Sequence, residues 1–124
     1  MDENLGKVTI APNVLVTIVQ KTTMSEPGVA MLSDNVPGVK RLLGLHTVGR
    51  GVEVNVEDNR VTVDVYLIAR RDIDLLQMGR SLQNQMVRAI QHIVGMEVAE
   101  VNIHIEDIAT ELSRKDGKKK EKSK

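Results

Sequence analysis

The 124-residue chain contains no cysteine, no tryptophan and no phenylalanine. Without a thiol it can form no disulfide, no thiolate metal site, no iron–sulfur centre and no cysteine nucleophile. Tyr66 is the sole Phe, Trp or Tyr residue. Base-stacking platforms for single-stranded nucleic acid and aromatic-anchored ligand pockets both need several such rings, so no specific nucleic-acid partner is expected. No apolar run approaches the roughly 20 residues that a membrane-spanning helix requires. The opening Met1-Asp2-Glu3-Asn4 is acidic and polar, unlike a secretory signal. A cytoplasmic protein is expected, with any membrane contact made peripherally through a partner. Formal net charge is zero as well, because 17 Lys and Arg balance 17 Asp and Glu.

That balance hides a division. Arg114, Lys115, Lys118, Lys119, Lys120, Lys122 and Lys124 stand against only Asp116 and Glu121 in the last eleven residues, a local charge of +5. Residues 1–113 therefore carry −5. Three regions are expected: a disordered lead over 1–6, one domain over 7–113, and a basic, disordered tail over 114–124. The tail is the candidate for electrostatic contact with anionic lipid head groups, RNA or an acidic protein. The plainer reading of such a run is a solvated appendage.

The domain can build a core because 41% of the chain is apolar, nearly all of it Val, Ile, Leu, Met and Ala. Lys7–Ile10 reads as a short strand. Ala11-Pro12 opens a helix, since proline suits the first helical position, and Val14, Leu15, Ile18, Val19 and Thr22 mark one face. Glu26-Pro27-Gly28 stops it, and Val29–Ser33 reads as a second strand. Val36-Pro37-Gly38-Val39 forms another turn, Lys40–Leu45 a short helical turn, and His46–Gly51 a loop.

The clearest pattern follows. Val52, Val54 and Val56 alternate with Glu53, Asn55 and Glu57; Val61, Val63 and Val65 alternate with Thr62, Asp64 and Tyr66. A two-residue turn at Asp58-Asn59 pairs Val56 with Val61, Val54 with Val63 and Val52 with Val65, with valine on one face and polar residues on an open one. Asp72 or Asp74 then caps a second helix. Its stripe is Leu75, Gly79, Leu82, Met86, Ile90 and Ile93, flanked by Met78, Val87 and Val94. Gly79 on that stripe suggests close approach to a neighbour, and Gly95 is the stop. A last strand turns Val101, Ile103 and Ile105 inward and Asn102, His104 and Glu106 outward, before one more turn over Ile108–Leu112. The expected fold is α+β: a two-layer sandwich of a mainly antiparallel sheet with two main helices on one face.

Little here is chemically pointed. His46, His92 and His104 fall in three different elements and make no His-x-x-x-His pair. Asn102, His104 and Glu106 share an exposed strand face, the nearest approach to an acid–base or metal-binding group; unrelated surface side chains explain them as simply. Asp72 and Asp74 fit a helix start. Ser25, Ser33 and Ser81 lack a Gly-x-Ser-x-Gly elbow, and Gly49-Arg50-Gly51 leads into a strand where a phosphate cradle would open a helix. No catalytic residue, cofactor or metal is expected.

Five segments in order resemble one family. Val8-Thr9-Ile10-Ala11-Pro12-Asn13-Val14-Leu15 is similar to the opening "I-A-P-x-V-L" of the bacterial alkaline shock and general stress proteins, envelope stress response proteins of Gram-positive bacteria. Pro27-Gly28-Val29-Ala30-Met31-Leu32-Ser33, Gly51-Val52-Glu53-Val54, Val63-Asp64-Val65-Tyr66-Leu67 and the Gly95–Ile103 segment continue the match, so that it spans about residues 7–108. Arg71-Asp72-Ile73-Asp74 departs from the family's Gly-hydrophobe-Asn-Ile-Pro before the second helix. The resemblance implies a non-enzymatic protein acting through protein–protein interaction or self-association near the envelope, a homo-oligomer or the partner of a membrane-anchored relative. The alternative it implies is a regulator that binds an enzyme of fatty-acid or lipid metabolism.

Overall fold

The computed structural model describes residues 5–34 and 45–110. The second Pro-Gly turn, the Leu112 end of the last expected turn and the basic tail lie outside these residues. So does the helical turn expected over Lys40–Leu45, apart from Leu45, which opens a strand. The elements are α1 (Pro12–Met24), β1 (Val29–Leu32), β2 (Leu45–Gly49), β3 (Val52–Glu57), β4 (Arg60–Ala69), α2 (Leu75–Ile93) and β5 (Glu97–Ile108).

The β3–β4 hairpin has the register that its valine alternation demands: Val52 faces Val65, Val54 faces Val63 and Val56 faces Val61. Asp58 and Asn59 both take positive φ, 53° and 61°. That is the twist a two-residue turn needs to match the strands, and these two residue types tolerate it better than others. β4 is the central strand. Along one edge it pairs antiparallel with β3 over its first half and with β1 beyond it, so β1 and β3 lie end to end. Along the other edge it pairs in parallel with β5, from Arg60↔Glu97 to Ala69↔Ile108. A parallel pair needs a crossover, and α2 supplies it. The sheet is thus antiparallel but for this one pair, with both helices on one face.

β2 corrects the expected loop over His46–Gly51. Leu45–Gly49 pairs antiparallel with β3, Gly49 opposite Val52, and Arg50-Gly51 makes the turn, with Gly51 at φ +70°. Two glycines in six residues obscured a short strand whose last residue must be small. A Cβ on Gly49 would lie 2.5 Å from Val16 Cγ1 of α1. Lys7–Ile10, expected as a strand, has no regular secondary structure and pairs with no strand among the described residues, and Val8 is 92% exposed.

The core lies between the helices and the valine face: Val52, Val54, Val61, Val63, Val65 and Leu67 below, Leu15, Val16 and Val19 from α1, and Met78, Leu82, Met86 and Ile90 from α2. The buried stripe of α1 is rotated from the expected one, to Leu15, Val16, Val19 and Thr23, leaving Val14 exposed. In α2 the stripe holds through Ile90, but Ile93 is 63% exposed. Asp74 is the cap, accepting from the Gln77 backbone N–H at 3.0 Å. Gly79 has nothing within 4 Å of where its Cβ would be, so it marks open space and not the close approach expected of it.

Candidate functional site

The face of the sheet turned away from the helices is polar, as alternation requires, but its centre is closed. Glu53 and Asp64 are buried there with Tyr66, where an open face is expected from the sequence. A buried carboxylate must find partners or shed its charge, and cross-strand neighbours supply some of them. Tyr66 Oη donates to Glu53 Oε1 at 3.2 Å. His104 Nε2 lies 3.0 Å from Asp64 Oδ1; because a carboxylate can only accept, this nitrogen carries the proton. The Tyr66 and His104 rings stack with centroids 4.4 Å apart and planes 9° from parallel. Ser33 Oγ donates to Glu106 Oε1 at 3.1 Å. At the β2 end, His46 Nε2 stands 3.7 Å from Glu53 Oε2, too far for a hydrogen bond. Both of these buried atoms, and Asn55 Oδ1 beside them, are without a hydrogen-bond partner.

Burial first, then the charges of Glu53 and Asp64, push the Tyr66 hydroxyl up to about 12. At neutral pH it keeps its proton and donates it in the hydrogen bond to Glu53. Among the described residues no group of three His, Cys, Asp or Glu side chains is placed to hold a metal ion.

The outward trio expected on the last strand is therefore drawn into two separate contacts. His104 belongs to the Tyr66–Asp64 group, and Glu106 is tied to Ser33. Asn102 reaches only Glu100, at 3.3 Å. His92 sits exposed on the last turn of α2, near the Arg88 carbonyl. The basic residues from Arg114 to Lys124 lie outside the described residues. Sequence reading missed His46, Glu53, Asp64 and Tyr66 as members of one cluster. The available signal was the even spacing of Glu53 on one hairpin strand and Asp64 and Tyr66 on the other, which places all three on one face.

A second feature lies at the side of the sheet. β5 is a 12-residue strand paired on one edge only, with no strand on its outer edge among the described residues. Gln83 Nε2 of α2 donates to the Val101 carbonyl at 3.0 Å, which shows that carbonyl pointing outward. Backbone groups alternate along a strand, so those of Ile103 and Ile105 point outward too. Beside them is an open groove of about 340 Å³ lined by Leu75, Leu76, Gly79, Ile103 and Ile105, with Arg80 and Gln83 at its border. Leu76 is 69% exposed. An unpaired edge flanked by apolar surface is a template for another chain.

No helix among the described residues is long and apolar enough to cross a membrane. No solved structure matches the chain significantly. Among curated proteins, it is 32% identical over 105 residues to the uncharacterized protein YqhY of Bacillus subtilis, covering 84% of this chain and 78% of that one. It is 23% identical over 81 residues to the uncharacterized protein YloU of the same organism, covering 65% and 68%. The model of the alkaline shock protein family, described as having a cell envelope-related function, matches residues 1–110. The resemblance carried by the opening Ile-Ala-Pro segment and the four that follow it is thereby borne out: the chain belongs to the alkaline shock protein family, a family of cell envelope-related function.

Proposed function

We propose that the chain acts without catalysis, as a protein–protein interaction module at the cytoplasmic side of the envelope, and that it self-associates through the outer edge of β5 and the groove beside it. The observation that carries this reading is the conjunction of outward Ile103 and Ile105 backbone with the apolar walls Leu75 and Leu76. A lone edge would be a hazard, and a lone groove would be ordinary surface. Together they offer backbone pairing and apolar burial to the same partner. The basic tail adds attraction to anionic surfaces through a field that salt screens.

Sedimentation equilibrium tests the reading. The intact chain is expected to associate as its concentration rises, and Leu76→Glu, at an exposed position, is expected to weaken that association while leaving thermal stability nearly unchanged. A chain that stays monomeric at high micromolar concentration contradicts it. The second reading, a regulator seated on an enzyme of lipid metabolism, would use the same surface. One feature favours it: β5 carries Glu97, Glu100, Glu106 and Asp107 and no Lys or Arg, which suits a basic strand of another protein.

A further inference from the structure

The acceptor just described lacks a donor. β5 is a poor partner for its own copy, because pairing two strands that each carry Glu97, Glu100, Glu106 and Asp107 sets like charges side by side. Another segment among the described residues has the pattern of a strand. Lys7-Val8-Thr9-Ile10 alternates polar and apolar residues, is rich in β-branched side chains, and has no regular secondary structure and no strand partner among the described residues. Val8 is almost wholly exposed and Ile10 is half-exposed, although both are residues that sheets ordinarily bury. A strand-forming segment left in water and a strand edge left unpaired are complementary halves of one contact.

We propose that Lys7–Ile10 of one copy adds as a strand to the outer edge of β5 in a second copy. The inference rests on the reading of that edge as the self-association surface. Alternation then decides where each side chain goes. Val8 and Ile10 share one side of the added strand, and that side faces the groove, where Leu75, Leu76, Ile103 and Ile105 offer apolar walls. The missing side chain at Gly79 leaves room there for a Val or Ile. Lys7 and Thr9 fall on the polar side, in line with Asn102, His104 and Glu106. Lys7 thereby brings a cation to a strand that carries four carboxylates and no Lys or Arg of its own. Gln83, by holding the Val101 carbonyl, closes the edge at one end and leaves Ile103 and Ile105 for the incoming backbone. A four-residue donor suits so short an opening. The two surfaces are different, so the contact is head-to-tail: each copy gives its segment to one neighbour and receives from another, or from the same one if the pair closes.

The test uses the full chain and two substitutions at exposed positions, Val8→Pro and Leu76→Glu. Proline at position 8 removes a backbone N–H and disrupts strand pairing without touching the core. Val8→Pro is expected to weaken self-association about tenfold or more in sedimentation equilibrium, with the melting temperature unchanged. Its acceptor edge then stands free. A synthetic peptide of residues 5–11 titrated into isotope-labelled Val8→Pro protein is expected to shift the amide resonances of Ile103, Ile105 and Leu76, and Leu76→Glu is expected to abolish the shifts. If Leu76→Glu dissociates the assembly while Val8→Pro associates like the parent, the surface stands and the donor is overturned. If the peptide shifts β2 instead, the acceptor is overturned. If the parent is monomeric at every concentration and the peptide binds nowhere, both the donor and the underlying reading fall.

Discussion

β4 and β5 run side by side, pair with each other along their full lengths and carry similar alternations of Val and Ile with polar residues, yet they are physically unlike. β4 is finished. Each edge has strand partners, its valines are sealed under the helices, and Asp64 and Tyr66 are buried on the opposite face. β5 is finished on one side only. Of its residues only Val101 is buried, while Ile103 and Ile105 are half-buried at the lip of the groove. Alternation tells which way a side chain points, and both strands obey it. Whether a strand has a second neighbour is a separate matter of topology, and it separates a core strand from an interaction surface.

Substitutions in the two strands sharpen this contrast. Val63→Asp in β4 is expected to have the largest effect. It places a carboxylate in a fully buried apolar layer with no cation beside it, costing about 4 kcal/mol or more in urea-unfolding experiments. Asp in place of the half-buried Ile103 of β5 can turn toward water at the edge and should cost clearly less; equal losses would mean that β5 is as enclosed as β4. Tyr66→Phe comes next. It deprives the buried Glu53 carboxylate of its tyrosine donor and should cost about 1–3 kcal/mol.

The same hydroxyl gives a pH dependence. Its pKa is about 12 in the folded chain and about 10 in the unfolded one, so the unfolded state loses the proton first. The stability it contributes is complete below pH ~10 and is lost as pH rises toward ~12. Melting curves across that interval should fall for the parent, and fall less for Tyr66→Phe. The smallest effect is expected from Glu106→Gln in β5, an exposed residue that should stay within about 0.5 kcal/mol of the parent.

The hairpin was legible because two valine alternations separated by a two-residue Asp-Asn turn admit only one register that keeps valine together. The Asp74 cap and the α2 stripe were legible for similarly local reasons. β2 was not, because glycine at both ends of Gly49-Arg50-Gly51 reads as a joint, and only the close approach of Val16 explains why the strand must end on glycine. The polar cluster was half legible. Its residues could be put on one face, but the pairing of His104 with Asp64 joins positions 40 residues apart through a parallel crossover whose strand order local patterns do not specify. Lys7–Ile10 is the instructive error. Its residues do have a strand's pattern, yet among the described residues it occupies no strand edge.

The central claim, that the outer edge of β5 is completed by another molecule of the same chain, is tested most directly by hydrogen exchange at the Ile103 and Ile105 amides over a range of protein concentrations. The account predicts that these two amides become progressively protected as concentration rises, while those of β4 are strongly protected throughout. Exchange at Ile103 and Ile105 that is fast and identical at every concentration would contradict it.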